Sequence, residues 1–188
     1  MPMRKPAHIV EIMLHPGDFY FGDRDTRIRT LLGSCVSITI WHPQLLIGGM
    51  CHYVLPSRGG RAEDAPDGRY GDEAMEMFMK EVRGAGTRAG EYEVKLFGGS
   101  NMFPFVRQYV PCLERNCIDP IHCDCRDVSR RNKHAARKLV ERHGFSVKAE
   151  HLGGTCPRNL FFDIWSGYAW VKRNQAGKDC AATKGVNT

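Results

Sequence analysis

The run Val36-Ser37-Ile38-Thr39-Ile40-Trp41 constrains this chain more than any other segment. It alternates from side to side and is rich in β-branched residues, which are stiff at χ1 and pack well on a pleated surface, so it predicts a strand within a longer element, Thr30–Trp41. A connection containing Pro43 follows. Then comes Gly48–Leu55, in which Met50, His52 and Val54 alternate with Cys51, Tyr53 and Leu55. Two such runs joined by about six residues predict a hairpin. A fold that contains this pair is built on a sheet.

The other segments add to it. His8–Leu14 is apolar and reads as a first strand, ended by the turn His15-Pro16-Gly17-Asp18. Phe19–Phe21 reads as a short strand. Pro56–Arg69, rich in Gly, Pro, Arg and Asp, predicts an exposed loop. Asp72 is placed to cap a helix over residues 72–84, where Ala74, Met75, Phe78, Met79 and Val82 recur at helical spacing. Val94–Phe97 predicts a strand running into Gly98-Gly99. A second helix is expected over Ser129–His143, with Ala135, Ala136, Leu139 and Val140 on one face and Gly144 as its stop. Phe145–Leu152, Leu160–Ile164 and Tyr168–Lys172 complete the strands, the last two joined at Ser166-Gly167. The order predicts an α+β domain of about seven strands and two helices over residues 1–172. A cysteine-rich insert, 104–127, interrupts it, and a polar tail, 173–188, is expected to be disordered.

The 188 residues are enough for one domain with a core of its own. At 42% hydrophobic and 26% charged, the composition is that of a globular protein, and no apolar run reaches the ~20 residues that span a bilayer. The basic start is not followed by an apolar stretch, so no secretory signal is expected and the cytoplasm is the default. The eight cysteines are irregularly spaced and, in that compartment, are expected to be reduced or metal-bound. The net charge of +6 suits an acidic partner surface, but no basic run is interleaved with aromatics as single-stranded nucleic acid requires. Neither nucleic-acid binding nor membrane insertion is expected.

Two residues carry the chemical interest. Cys35, in Leu32-Gly33-Ser34-Cys35-Val36, lies where a glycine-containing turn enters an apolar strand. Glycine there permits close approach of a substrate and leaves main-chain N–H groups of Gly33 and Ser34 free to meet a developing oxyanion. Cys35 also reads as an inert buried thiol, since free cysteine is among the most buried residue types. His52 reads equally as a core histidine or as the base of that thiol. Neighbouring strands lie about 4.8 Å apart and residues of like parity share a face, so the hairpin can bring the two together. Gly98-Gly99 and Gly153-Gly154 are further glycine-rich strand ends, and together they suggest one rim where backbone meets a ligand. Cys112, Cys117, His122, Cys123 and Cys125 have zinc-binding side chains but not the C-x2–4-C spacing of structural zinc sites, so no metal is assigned.

Taken together, His15-Pro16-Gly17-Asp18-Phe19-Tyr20, Thr30–Val36, Gly48–Pro56, Arg69-Tyr70-Gly71, Lys95–Phe103, Arg131-Asn132, Gly153-Gly154 with Arg158, and Gly167–Lys172 resemble the CheD family of chemotaxis proteins. The resemblance implies an α/β sandwich of mostly antiparallel strands with two main helices, similar to the catalytic domain of cytotoxic necrotizing factor. It implies hydrolysis of glutamine side chains on methyl-accepting chemotaxis receptors to glutamate, without a cofactor. The family's nucleophile falls on Cys35, its histidine on His52 and an assisting threonine on Thr30. Cys51 stands where Asn is common in the family, and Ser100 where Ala is common. Three other readings compete: a non-catalytic module binding receptors or a CheC-type phosphatase, a metal or redox sensor built on Cys112–Cys125, and a papain-like protease. The short Cys-to-His separation and the lack of a helix after Cys35 disfavour the last.

Overall fold

A computed structural model describes residues 5–59, 65–102 and 127–173. Nine strands and two helices occur among them, in the order β1 Val10–Leu14, β2 Phe19–Gly22, β3 Thr26–Leu32, β4 Val36–His42, β5 Ile47–Tyr53, α1 Gly71–Gly84, β6 Glu93–Gly98, α2 Val128–Arg142, β7 Ser146–Leu152, β8 Arg158–Asp163 and β9 Tyr168–Arg173. The fold is α+β, as the order of elements predicts. The 104–127 insert lies outside the described residues except for Asp127, and the tail does so from residue 174 onward.

The strands form two sheets, β1-β3-β8-β9 and β2-β5-β4-β6-β7. β1–β3 and β6–β7 pair in parallel, and every other pair is antiparallel. The predicted hairpin is β4–β5, with Ser37 opposite His52 and Val36 opposite Tyr53. The predicted single element Thr30–Trp41 is instead two strands in different sheets, because the chain bends at Gly33-Ser34-Cys35 and crosses from one sheet to the other.

Alternation along the strands decides what each layer touches. In β3, Thr26, Ile28, Thr30 and Leu32 are buried while Arg29 and Leu31 are exposed, so the first sheet turns one face inward. That face meets Trp41, Met50 and Phe97 of the second sheet in a core with Leu14, Ile28, Leu32, Leu160 and Phe162. The opposite parity of the second sheet, Val36, Ile38, Ile40, Cys51, Tyr53, Val94 and Leu96, packs on the apolar faces of α1 and α2. The second sheet is therefore buried on both sides, which is why β4 is buried at every residue.

The helix ends differ from expectation at one cap. α1 begins after Tyr70, which gives no side-chain cap, and Asp72 lies inside the first turn, where it accepts from the N–H of Glu73. A Cβ at Gly71 would stand 2.9 Å from the end of the Leu139 side chain of α2 and 3.3 Å from Pro56 O. α2 is capped by Asp127, whose carboxylate accepts from the N–H groups of Ser129 and Arg130. No helix among the described residues is long and apolar enough to cross a membrane.

Candidate active site

Parity fixes which face each candidate residue occupies. Ser37 and His52 are opposite one another, and on their face β4 and β5 look toward the first sheet. Cys35 lies two residues before Ser37, packs against the same inter-sheet core and is partly exposed. Cys35 and His52 are therefore diagonal neighbours on one face, a relation that brings Cβ atoms within about 7–8 Å.

Thr30 reaches the same place from the other sheet. Its Oγ1 lies 2.7 Å from Nδ1 of His52 and donates to the carbonyl of Leu14 at 2.8 Å. A hydroxyl has one proton, and here Leu14 O takes it. The Thr30–His52 bond must then run from Nδ1–H to Oγ1, which leaves the lone pair on Nε2. Nε2 is buried and has no hydrogen-bond partner among the described residues. The imidazole is thus held by one nitrogen, and the other carries a free lone pair.

Electrostatics set the resting charge. Burial pulls His52 down to about 4; Asp18 opposes this and His15 adds to it. Burial also raises the Cys35 thiol above its ordinary value, opposed by its own main-chain N–H. Both shifts favour a neutral thiol and a neutral imidazole at rest. Cys51, on the other face, is fully buried and pushed up to about 12, the state of an inert core thiol.

The glycine-rich strand ends meet around Cys35. The N–H of Ser100 donates to Gly33 O at 2.8 Å, that of Gly99 to Cys35 O at 2.7 Å, and that of Gly153 to Gly98 O at 2.8 Å. Gly98, at φ 108°, could not be replaced without collision, since a Cβ would stand 2.2 Å from Cys35 O. Gly98 and Gly99 thus hold the carbonyl of Cys35, and the Gly99 N–H is spent on that bond.

Sequence reasoning gave no part to several residues that frame this site. The His15–Asp18 turn brackets the main chain of His52: Gly17 N–H donates to His52 O at 2.8 Å, and His52 N–H to Asp18 O at 3.0 Å. Arg158, buried, donates to Ser100 Oγ at 2.7 Å, to His151 O at 2.7 Å and to Gly153 O, tying two glycine turns together. A buried arginine beside glycine pairs was the available signal for this, but nothing in the sequence gave its partners. The thiols expected to be reduced include Cys156, which is disulfide-bonded. Cys112, Cys117, His122, Cys123 and Cys125 lie outside the described residues.

Comparison with known proteins points one way. Residues 54–173 match the family model described as CheD chemotactic sensory transduction. A protein of Dechloromonas aromatica (strain RCB) named "Probable chemoreceptor glutamine deamidase CheD 3" is 45% identical over 168 residues, 88% of this chain and 89% of that one. One of Pseudomonas fluorescens (strain SBW25) named "Probable chemoreceptor glutamine deamidase CheD" is 44% identical over 175 residues, 93% of this chain and 91% of that one. Among solved structures, the hypothetical protein YfiH of Bacillus licheniformis aligns with a TM-score of 0.42 and 11% identity, over 71% of this chain and 49% of that one.

Proposed function

The chain belongs to the CheD family, and from that premise we propose that it hydrolyses glutamine side chains of methyl-accepting chemotaxis receptors to glutamate, with Cys35 as nucleophile and His52 as base. The observation that carries this reading is the Thr30–His52 bond, which turns the basic Nε2 free on the face that Cys35 shares.

In the first step Nε2 takes the thiol proton as Sγ of Cys35 attacks the carboxamide carbon. The negative oxygen is met by main-chain N–H groups of the Gly33–Cys35 turn, whose shape the Gly98-Gly99 turn fixes from behind. His52, now protonated, gives its proton to the departing nitrogen, and ammonia leaves. His52 then takes a proton from water, the hydroxide adds to the γ-glutamyl thioester, and the returning proton frees Cys35. The balance is one amide and one water consumed, one acid and one ammonia formed. The same steps cleave a glutamate methyl ester, with methanol in place of ammonia.

Deamidation puts a carboxylate on a receptor helix and adds repulsion between acidic neighbours, which biases a two-state signalling equilibrium. This reading places the reaction in the cytoplasm, on the receptor's helices, within one domain spanning residues 1–172, and keeps the expected likeness in architecture to cytotoxic necrotizing factor. The alternative, a binding module for receptors or a CheC-type phosphatase, asks nothing of Cys35. Incubation with chemoreceptor cytoplasmic fragments, read by peptide mass spectrometry, separates the two. A gain of about one dalton at defined glutamines, absent with Cys35→Ala, is expected because amide becomes acid. Equal conversion by Cys35→Ala would remove Cys35 from the reaction, and none by the wild type would leave the binding module.

A further inference from the structure

Asn132 is wholly buried near the start of α2, and its side chain serves strands rather than its own helix. Nδ2 donates to Ser34 O at 3.1 Å and to Val54 O at 2.9 Å. Carbonyl oxygens only accept, so these two bonds fix which end of the amide is nitrogen. Oδ1 is left buried and without a partner among the described residues. Tyr53 Oη donates to the main-chain carbonyl of Asn132 at 2.6 Å, so the tie runs both ways. An amide that leaves its oxygen unpaired is a poor stabilising element. What this one supplies is its two N–H bonds.

Those bonds act one step beyond the β4–β5 ladder, which ends at Val36 and Tyr53. There the two chains part, one toward Cys35 and one away from His52, and Asn132 holds both. The described peptides include no cis bond. In a trans peptide the C=O of Ser34 and the N–H of Cys35 point in opposite directions. With the Ser34 carbonyl drawn to the Asn132 amide, the Cys35 N–H points away from that amide, on the side of its own Sγ, whose pKa it lowers. That N–H donates to no other described residue.

We propose that Asn132 is a positioning residue that, by holding the Ser34 carbonyl, aims the Cys35 N–H at the oxyanion. The proposal deepens the deamidase reading and rests on it. Sγ of Cys35 is held separately, by the inter-sheet core and by the Gly99 bond to the Cys35 carbonyl. Loss of the Asn132 amide therefore disturbs the oxyanion donor directly and reaches the thiol only through the weak pull of that same N–H on its pKa. Removing an oxyanion donor outright slows such reactions about 10²–10³-fold, and losing its aim is expected to cost about ten- to a hundredfold.

The test compares the full-length wild type with Asn132→Ala and Asn132→Asp. Three quantities are measured: kcat and KM for ammonia release from receptor fragments, the rate of Cys35 alkylation by iodoacetamide, and thermal unfolding. A fall in kcat several-fold larger than any fall in the alkylation rate, at a KM unchanged within about twofold, is expected, since alkylation forms no oxyanion and feels the N–H only through the thiol's pKa. An unchanged kcat, or kcat and alkylation falling together in a folded variant, overturns it. Should neither variant fold, Tyr53→Phe loosens the same tie while keeping the ring, and the same pair of outcomes decides. No release by the wild type would instead sink the deamidase reading, and this proposal with it.

Discussion

Oγ1 of Thr30 lies 2.7 Å from Nδ1 of His52 and spends its own proton on the carbonyl of Leu14. One side chain in the first sheet thereby selects the tautomer of another in the second. The direction of that bond follows from counting protons, and it leaves the lone pair on Nε2.

Thr30→Val keeps the shape and removes the hydroxyl. The imidazole can then rotate or adopt the other tautomer, and kcat is expected to fall about ten- to a hundredfold, part of the contribution of general base catalysis. Leu14 O and Nδ1–H, both buried, lose their partner at a cost of about 1–3 kcal/mol. Urea unfolding and ammonia release measure the two effects, and Thr30→Ser should recover most of both. An unaltered kcat in Thr30→Val would show that something else sets the tautomer.

Cys35 and His52 rest as a neutral pair, since burial raises one and lowers the other to about 4. A preformed thiolate–imidazolium pair would give an alkylation rate that levels off between about pH 5 and 8. Here the rate at Cys35, followed by peptide mass spectrometry, should instead climb steadily with pH across that range. A plateau would mean that the ion pair exists before substrate arrives.

The depressed value of His52 also makes a stability prediction. The unfolded chain binds a proton near the ordinary value of 6.5, whereas the folded one does so only near 4. Between these values the unfolded state holds more protons, so stability present above 6.5 is lost as pH falls toward 4. His52→Gln should flatten that part of the curve of unfolding midpoint against pH. An identical slope in wild type and His52→Gln would assign the loss to other groups.

Gly98→Ala tests the support behind Cys35. Its φ of 108° and the 2.2 Å approach of a Cβ to Cys35 O both resist a side chain. We expect destabilisation of more than about 1 kcal/mol and a lower kcat as the Cys35 carbonyl shifts. Gly84→Ala, where a Cβ meets nothing within 4 Å at the end of α1, is the control and should leave both nearly unchanged. Equal behaviour of the two variants would contradict this account of the turn.

Local pattern was enough to read the β4–β5 hairpin and both helices, because period-2 and period-3.6 burial are properties of consecutive residues. It also offered Cys35 and His52 as a candidate pair, but their common face follows from the hairpin register, Ser37 opposite His52, which the structure supplies. It failed at Thr30–Trp41, where continuous apolar character hid a change of sheet, and at Asp72, because the first N–H groups of α1, those of Gly71 and Asp72, are taken by the carbonyls of Leu55 and Pro56 rather than by a cap.

By itself, then, the sequence determined most of the strands and both helices, because neighbours along a chain dictate these, and it offered the thiol and the imidazole as candidates to share a site. Only the tertiary structure decided how the first sheet and α2 reach them. Thr30 meets His52 across a gap between sheets, and Asn132 meets Ser34 from a helix 98 residues away in sequence. Such contacts depend on how layers stack, and layer stacking is set by the sum of the core rather than by any run of residues within it.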